Sequence, residues 1–221
     1  MNRTASIDKP AAQPRLVNQN GQRIGAKGQR TRQKLIDVTV ELLQTHGLRD
    51  LTVAEVARVA QTSPATFYVY FDGVPEVVLS ALEAASQTSP EMLALLDADW
   101  VGEDGLQQAR SFVTMYCGIW LENSTVFRVR NLAAEEGDLR FIEARRSAVR
   151  VLLSRLTARV EAGRIAGRVA QSIDASANAA AILILLERLA AVGSLVSTEG
   201  PDHSDIKLAA ANMVAHAMGA L

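Results

Sequence analysis

The residues from Ser63 to Phe71 carry the side chains of this sequence that are best suited to bind a nucleic acid. They read Ser-Pro-Ala-Thr-Phe-Tyr-Val-Tyr-Phe and include no acidic residue. Tyrosine and threonine hydroxyls donate hydrogen bonds to phosphate oxygens. Small apolar side chains let a backbone approach base edges and contact thymine methyl groups. We therefore interpret this stretch as a surface that lies against phosphates and bases.

The elements that must position these side chains are short helices. Ser63 has the residue type of a helix N-cap and Pro64 that of the first helical position. Phe67 and Phe71, four residues apart, then face a core. Before them, the sequence from Thr52 to Glu55 is a capping box, which predicts the start of another helix. Gln61 and Thr62 form the tight turn between the two.

A third helix is predicted upstream, from the apolar stripe of Leu35, Val38 and Leu42 to the helix-ending Gly47. Three short helices, of which the second and third are joined by a tight turn, predict a helix-turn-helix. In that geometry the second helix of the pair enters the major groove, and the first lies against the DNA backbone.

Individual roles follow from the exposed side chains of the third helix. We expect Ala65, Thr66 and Val69 at base edges, and Tyr68 and Tyr70 at phosphates. Ser63 and Thr52 sit at helix N-termini, where exposed N–H groups favour phosphate. The alternative interpretation of the two tyrosines is that they only cover the core.

Charge is unevenly distributed along the chain. Residues 1–34 hold eight Lys or Arg against one acid, Asp8, so they carry +7; the whole chain carries −1, so the remainder carries −8. A basic leading segment before an acidic body indicates that this end meets a polyanion. The alternative, for residues 1–20 alone, is a solvated disordered tail. Residues 1–27 are predicted to form a flexible arm.

Composition and motifs exclude several other functions. No apolar run reaches the length of about 18 residues that a membrane span needs, and the N-terminus lacks a signal-peptide core. One cysteine, Cys117, fits a reducing cytoplasm. The histidines are isolated, and there is no metal-ligand spacing, phosphate loop or nucleophile elbow. We therefore predict a cytoplasmic protein that is not an enzyme and has no cofactor, bound metal or membrane partner.

An ordered series of motifs carries a family resemblance over about residues 28–80. The series is Thr31-Arg-Gln-Lys-Leu-Ile36, Leu42-Leu43, Gly47-Leu48, Leu51-Thr-Val53, Val56-Ala57 and Ser63–Phe71. It resembles the DNA-binding domain of tetracycline-repressor-type (TetR family) regulators. The resemblance implies an all-α homodimer that binds double-stranded DNA at a palindromic operator, usually as a repressor released by a small molecule.

The resemblance also implies site residues. Positions that contact DNA in the family correspond to Thr52, Ser63, Ala65, Thr66, Tyr68 and Tyr70, and a basic arm corresponds to Lys27, Arg30 and Arg32. Three positions depart from the family pattern. Gln61 stands where Gly is common, Tyr70 replaces a more usual His, and Val74 lies where a Lys normally touches phosphate.

The rest of the chain predicts an all-α body. We expect an arm over residues 1–27, a helix-turn-helix domain over 28–73 and a ligand-binding and dimerisation domain over 74–221. Gly and Pro breaks separate the predicted helices of the body. These helices cover about 75–87, 91–98, 106–122, 124–136, 139–162, 174–197 and 204–220.

A ligand cavity is predicted around one aromatic helix face. Phe112, Tyr116 and Trp120 recur at every fourth residue, and Phe127 is expected to join them. Such a wall suits an apolar or amphipathic effector, and Arg128 and Asn131 are expected as its polar anchors. The alternative for each aromatic residue is ordinary core.

The last two long helices, at about 174–197 and 204–220, are rich in Ala and Leu. Residues 179–186 are apolar nearly all round, so this helix needs burial on more than one side. The family resemblance places the homodimer contact on these two helices. A deep core within one chain is the alternative. A second hypothesis for the whole protein is a helical dimer whose main role is to bind a protein partner or to self-associate, with DNA binding that is weak or architectural.

The basic arm is expected to offset the phosphate contact that Val74 lacks, by following the minor groove with Arg23 and Lys27. Deletion of residues 1–27 should weaken operator binding and flatten its salt dependence, because fewer counterions are released. Operator titrations at several salt concentrations measure both effects. Unchanged affinity would show that the arm takes no part.

Overall fold

A computed structural model describes residue 19, residues 21–193 and residues 202–220. These residues form ten helices and no β-strand. The helices are α1 (Ala26–Leu42), α2 (Val53–Val59), α3 (Pro64–Tyr70), α4 (Val74–Ala85), α5 (Pro90–Asp97), α6 (Gly102–Glu122), α7 (Ser124–Glu135), α8 (Leu139–Ile165), α9 (Ala175–Val192) and α10 (His203–Ala217). The predicted all-α fold, with an N-terminal helix-turn-helix and a C-terminal helical domain, is confirmed.

The chain divides into two compact units between Val78 and Leu79. This division lies within α4, five residues after the start of the predicted ligand-binding domain. The start of α4, up to Val78, belongs to the first unit, and Val74, Val77 and Val78 are buried. Helix α4 therefore contributes residues to both units.

The first unit is built on two capped helices. The Thr52 side chain accepts the Glu55 N–H at the start of α2, and the Ser63 side chain accepts the Thr66 N–H at the start of α3. Such a cap contributes about 1 kcal/mol, which matters for helices of only seven residues each. Phe67 is fully buried and fixes which face of α3 is turned inward.

The turn between α2 and α3 places a non-glycine residue in the left-handed region. Gln61 has φ 55°, and its side chain accepts a 3.3 Å hydrogen bond from Lys34 Nζ. For a residue with a Cβ this conformation costs about 1–2 kcal/mol. The conformation explains why a glycine suits this position.

The second unit buries its core between α6, α8, α9 and α10. Phe112, Leu156, Leu186 and Val214 are all fully buried at its centre. Ser89, Asp138, Asp174 and Asp202 each cap the helix that follows by accepting a backbone N–H. The caps explain why the sequence located these helix starts to within a residue or two.

Two glycines allow the C-terminal end of the chain to pack closely on the second unit. A Cβ on Gly105 would lie 2.7 Å from the Trp100 carbonyl carbon and 2.8 Å from Ala220 Cβ. A Cβ on Gly163 would lie 2.8 Å from the Met218 carbonyl oxygen. The close approach buries Met218 and Ala220 almost completely.

The predicted helix ends agree with the structure to within a few residues. The largest extension is at the start of α6, which begins at Gly102 where position 106 was predicted. Glu103 and Asp104 lie in its first turn, where acidic side chains favour the positive end of the helix dipole. Residues 194–197 of the predicted ninth helix lie outside the described residues.

Replacement of Gln61 is expected to separate backbone strain from side-chain contact. Gln61→Gly should be neutral or stabilising by up to about 1 kcal/mol, because relief of the left-handed conformation exceeds the entropy cost of glycine. Gln61→Val should destabilise by about 1–2 kcal/mol, because a β-branched residue tolerates this φ least. Chemical unfolding measures both changes, and equal stability of the two variants would contradict the strain.

Candidate DNA-binding surface and effector cavity

Helix α3 presents an exposed face. Tyr68 is 54% exposed, Val69 is 37% exposed and Ala65 is also exposed. The Tyr68 ring meets the buried Phe67 ring edge-on at a centroid distance of 5.8 Å, which orients the tyrosine without covering it. Tyr68 is therefore available for contacts outside the unit.

The hydroxyl groups at the start of α3 form a pair. Ser63 Oγ accepts the Thr66 N–H at 3.1 Å and lies 3.0 Å from Thr66 Oγ1. One hydroxyl proton is used between them, so the other remains available to an acceptor such as a phosphate oxygen. Thr52 Oγ1 caps α2 in the same way, at 3.2 Å from Glu55 N.

Tyr70 lies at the opposite end of α3, next to the start of α1. A methyl group on Gly28 would lie 2.8 Å from Ile24 Cγ2 and 3.2 Å from the Tyr70 hydroxyl oxygen. Tyr70 is half-buried and Ile24 is buried. Tyr70 therefore contributes to packing the segment before α1, besides its predicted phosphate contact.

The segment that precedes α1 is tied to the end of α3. The Gln19 N–H donates to the Val69 carbonyl at 3.1 Å, and Gln19 Nε2 donates to both carboxylate oxygens of Glu76 at 3.0 and 3.1 Å. Residues 1–18 and 20 of the predicted arm lie outside the described residues. Gln19 thus lies beside the C-terminal end of α3.

A row of basic side chains follows one face of α1. Lys27, Arg30 and Lys34 line an open groove together with Thr31. Their spacing of three and four residues places them on one helix face. Arg32 lies elsewhere, with its guanidinium carbon 4.9 Å from the centroid of the Phe71 ring. We call Lys27, Arg30 and Lys34 the basic stripe.

A small cavity lies in the second unit between α4, α5, α6, α7 and α8. Its volume is about 60 Å³, room for roughly two water molecules. Apolar side chains form most of the wall, and Tyr116, Trp120 and Arg130 are its larger polar side chains. The lining consists of Ala85, Ser86, Gln87, Thr88, Met92, Tyr116, Ile119, Trp120, Phe127, Arg130, Ala148, Val149 and Leu152.

An ion-pair cluster lies behind this wall. Arg130 Nη2 donates to Glu187 Oε1 at 2.7 Å, and Arg145 Nη2 donates to Glu187 Oε2 at 2.8 Å. Arg130 is only 5% exposed, and its guanidinium carbon lies 4.9 Å from the centroid of the Phe127 ring. Burial lowers the pKa of Arg130, and the charge of Glu187 opposes that shift. Arg130 remains a cation.

Tyr116 and Trp120 add two polar groups to the wall, which differ in their protonation and hydrogen bonding. Burial, and then the negative charge of Glu187, raise the pKa of Tyr116, so its hydroxyl stays neutral. Trp120 is 3% exposed, and its buried Nε1–H has no hydrogen-bond partner among the described residues. A buried donor without an acceptor costs about 1–3 kcal/mol.

Two family models match this sequence. Residues 35–78 match the model described as bacterial regulatory proteins, tetR family. Residues 93–220, more than half of the chain, match the model described as tetracyclin repressor-like, C-terminal domain. The chain belongs to the TetR family. Its members are transcription regulators, so this chain joins a DNA-binding unit to a regulatory helical domain.

Solved TetR-family structures share the fold at low sequence identity. The fatty acid degradation regulator FadR from Bacillus halodurans has a TM-score of 0.64 and 15% identity, covering 84% of this chain and 94% of its own. FadR from Bacillus subtilis, solved in complex with stearoyl-CoA, has a TM-score of 0.65 and 14% identity, covering 82% and 96%. SmeT, the repressor of the Stenotrophomonas maltophilia multidrug efflux pump SmeDEF, has a TM-score of 0.60 and 16% identity, covering 85% of this chain and 89% of its own. No curated protein sequence matches at a significant level.

The cavity of this TetR-family chain contains three of the six predicted ligand residues, Tyr116, Trp120 and Phe127. Three others lie outside the lining. Phe112 is fully buried, with its ring 6.0 Å from the Trp100 ring, and Arg128 is exposed. Asn131 lies beside the wall, where its Oδ1 accepts a 3.0 Å hydrogen bond from Arg130 Nε.

Arg130 lines the cavity and Lys34 lines the groove on α1, and the sequence analysis selected neither residue. Arg130 follows Phe127 by three residues, so the two share a helix face and both reach the cavity. Lys34 follows Lys27 and Arg30 at the spacing of one helix face. The signal for Arg130 was its helical spacing from the aromatic Phe127, and the signal for Lys34 was its helical spacing from the basic Lys27 and Arg30.

Among the described residues, no group of three or more His, Cys, Asp or Glu side chains is placed to hold a metal ion. Burial raises the pKa of the Cys117 thiol. A thiol of raised pKa yields little thiolate, the reactive form, at neutral pH.

Helices α9 and α10 each expose apolar side chains. Ile184 is 69% exposed and Met213 is 60% exposed, and Leu208 on α10 is 44% exposed. Helix α9 has the length and composition of a membrane span. It also carries Glu187 and Arg188 and packs against α6, α8 and α10, which is typical of a helix in a helical core.

Proposed function

We propose that this protein is a cytoplasmic repressor that binds a palindromic operator as a homodimer and is released by a small-molecule effector. The observation that carries the proposal is the exposed acid-free face of α3 in the same unit as the basic stripe of α1. A helix-turn-helix reads bases with its second helix, and cations nearby bind the flanking phosphates.

The roles of single residues follow from their exposure. Tyr68 is the best-placed phosphate donor because its ring is oriented by Phe67 and half of its surface is open. Ala65 and Val69 have small apolar side chains that can approach base edges. The basic stripe supplies the salt-dependent part of the affinity. Tyr70 contributes less to this affinity, since it is half-buried beside Ile24.

Dimerisation through α9 and α10 supports operator binding of this kind. Ile184 and Met213 are large apolar side chains in water on two long neighbouring helices. A symmetric contact of these faces would cover them and place two α3 helices on one DNA face. Half-sites about 34 Å apart, one turn of DNA, would then be recognised.

Effector control would act through α4. This helix begins in the first unit, and its end at Ala85, with Ser86, lines the cavity of the second unit. An effector that binds more tightly to a form with a displaced α4 would shift the protein towards that form. The solved complex of the Bacillus subtilis relative with stearoyl-CoA supports ligand binding in this fold. At 14% identity it does not transfer the ligand.

The DNA-binding role predicts a specific effect of one hydroxyl group. Tyr68→Phe should weaken binding to the promoter fragment of its own gene by about tenfold, the value of one hydrogen bond to a charged group of about 1.5 kcal/mol. Tyr68→Ala should weaken it further because the ring is also lost. Gel shifts at several salt concentrations measure the effect, with random DNA as the reference.

The controls separate the two hypotheses for the whole protein. Both variants should unfold at the wild-type temperature, since Tyr68 is exposed. Should wild-type protein bind its promoter fragment no better than random DNA, the repressor proposal fails and a helical dimer with a protein partner is favoured.

The dimer contact predicts a position-specific effect of charge. Ile184→Glu should weaken dimerisation at least about 100-fold, because symmetry buries two unpaired carboxylates in one apolar contact. Ile165→Glu is the matched control, since Ile165 is 80% exposed on α8 and lies outside this face. Sedimentation velocity measures the oligomeric state. A dimeric Ile184→Glu variant would refute the assigned interface.

A further inference from the structure

The cavity lining holds one charged side chain, the cation Arg130, and one donor-only group, Trp120 Nε1–H, beside neutral side chains such as Ser86, Gln87 and Thr88 that both donate and accept. Trp120 Nε1–H is a donor only, it is buried, and no acceptor in the described residues reaches it. Trp120 lines the cavity, but its Nε1 atom is itself covered, so the wall must move before a ligand atom can reach it. A ligand atom that accepts a hydrogen bond would remove the cost of this unmet donor.

The ion-pair cluster beside the cavity holds more positive than negative charge. Glu187 gives one of its carboxylate oxygens to Arg130 and the other to Arg145. One negative charge thus serves two positive charges, and the cluster keeps a net charge of +1. Arg145 has 41% of its side-chain surface in solvent, whereas the Arg130 side chain has 6%. Arg130 and Glu187 form the more buried pair, and the excess positive charge lies with Arg145, where water screens part of it; Arg130 is the cation that lines the cavity.

Tyr116 does not supply the missing negative charge. Its hydroxyl stays neutral because burial and Glu187 both oppose its ionisation. It can donate a further hydrogen bond to an anion in the cavity. The three larger polar side chains on the wall can therefore all act as donors, and one of them is a buried cation.

The remaining wall sets the rest of the ligand. Met92, Ile119 and Leu152 are apolar, and Phe127 is covered on one side by the Arg130 guanidinium. Such a wall favours contact with the hydrocarbon portion of a ligand and disfavours a second charged group on that ligand. A cationic ligand would meet the positive charge of Arg130, whereas the neutral oxygens of Ser86, Gln87 and Thr88 in the lining offer it no counter-charge.

Given the proposed function, on which this step rests, we propose that the effector is a small amphipathic carboxylate. Its carboxylate accepts from Trp120 Nε1 and pairs with Arg130, and its apolar portion contacts Met92, Ile119 and Leu152. Arg130 keeps its bond to Glu187 in this arrangement, because a guanidinium has five N–H donors.

Three probes of matched length and different head groups test the charge. Hexanoate, 1-hexanol and hexylamine are titrated into the full-length protein by calorimetry at about pH 7. Hexanoate should bind at least about tenfold more tightly than 1-hexanol, and hexylamine should bind most weakly. Equal or tighter binding of the alcohol or the amine overturns the proposal, and so does a failure of hexanoate to bind.

Three variants assign the preference to named groups. Trp120→Phe keeps an aromatic ring and should reduce hexanoate affinity about tenfold with little effect on 1-hexanol. Arg130→Met should remove the preference for the carboxylate, while Glu187 stays paired with Arg145. Arg146→Met removes an exposed cation from α8 and should leave the preference unchanged. A preference that survives both Trp120→Phe and Arg130→Met overturns the proposal, and Trp120→Phe alone decides it if Arg130→Met does not fold.

Operator release distinguishes this inference from the proposed function. If 1-hexanol or hexylamine releases the promoter fragment and hexanoate does not, effector control stands and the carboxylate assignment is wrong. If the protein does not bind the fragment at all, the repressor proposal fails. The head-group preference measured by calorimetry still decides which ligand the cavity takes.

Discussion

The second unit depends on one largely buried carboxylate, that of Glu187, which three helices share. Arg130 comes from α7, Arg145 from α8 and Glu187 from α9, and both bonds to Glu187 are shorter than 3 Å. Burying an ion costs several kcal/mol unless its partners are in place. The positions of the three helices relative to one another are therefore coupled at this point more strictly than hydrophobic packing alone requires.

This coupling matters most for α9, whose apolar residues do not by themselves select a rotation. A helix turns about 100° per residue, so Glu187 lies at the border between the buried face, which includes Leu183 and Leu186, and the exposed face, which includes Ile184. A rotated α9 would bury Ile184 and would remove Glu187 from its two guanidinium partners. We infer that Glu187 keeps Ile184 in the outer face, where the proposed dimer contact needs it.

The sequence predicted those features that depend on neighbours along the chain. Caps such as Thr52 and Ser63 act on residues three positions away, so pattern alone locates α2 and α3. The cavity wall was harder to predict because a slip of two residues on a helix changes the face. Arg128 was chosen and is exposed, whereas Arg130 is buried. The packing of Tyr70 against Ile24 and Gly28 joins residues more than forty positions apart, and no local pattern encodes it.

The size of the cavity constrains how an effector could act. A volume of about 60 Å³ does not admit an amphipathic ligand unless the wall moves. The wall includes the end of α4 and the residues that follow it, such as Ser86 and Thr88, which are only partly buried. Side chains in this connection can move at lower cost than the fully buried Phe112 on the other side of Tyr116.

An effector that needs the wider form binds only the fraction of molecules that has opened. Its apparent dissociation constant is the intrinsic value divided by that fraction. In the proposed mechanism, a rare open form would therefore keep the protein on its operator until the effector is abundant. The unmet Trp120 donor lowers this threshold, because it destabilises the ligand-free cavity and increases the gain in free energy when an anion enters. The proposed switch thus combines a narrow cavity, which sets the threshold, with an unsatisfied donor and a buried cation, which supply the selectivity.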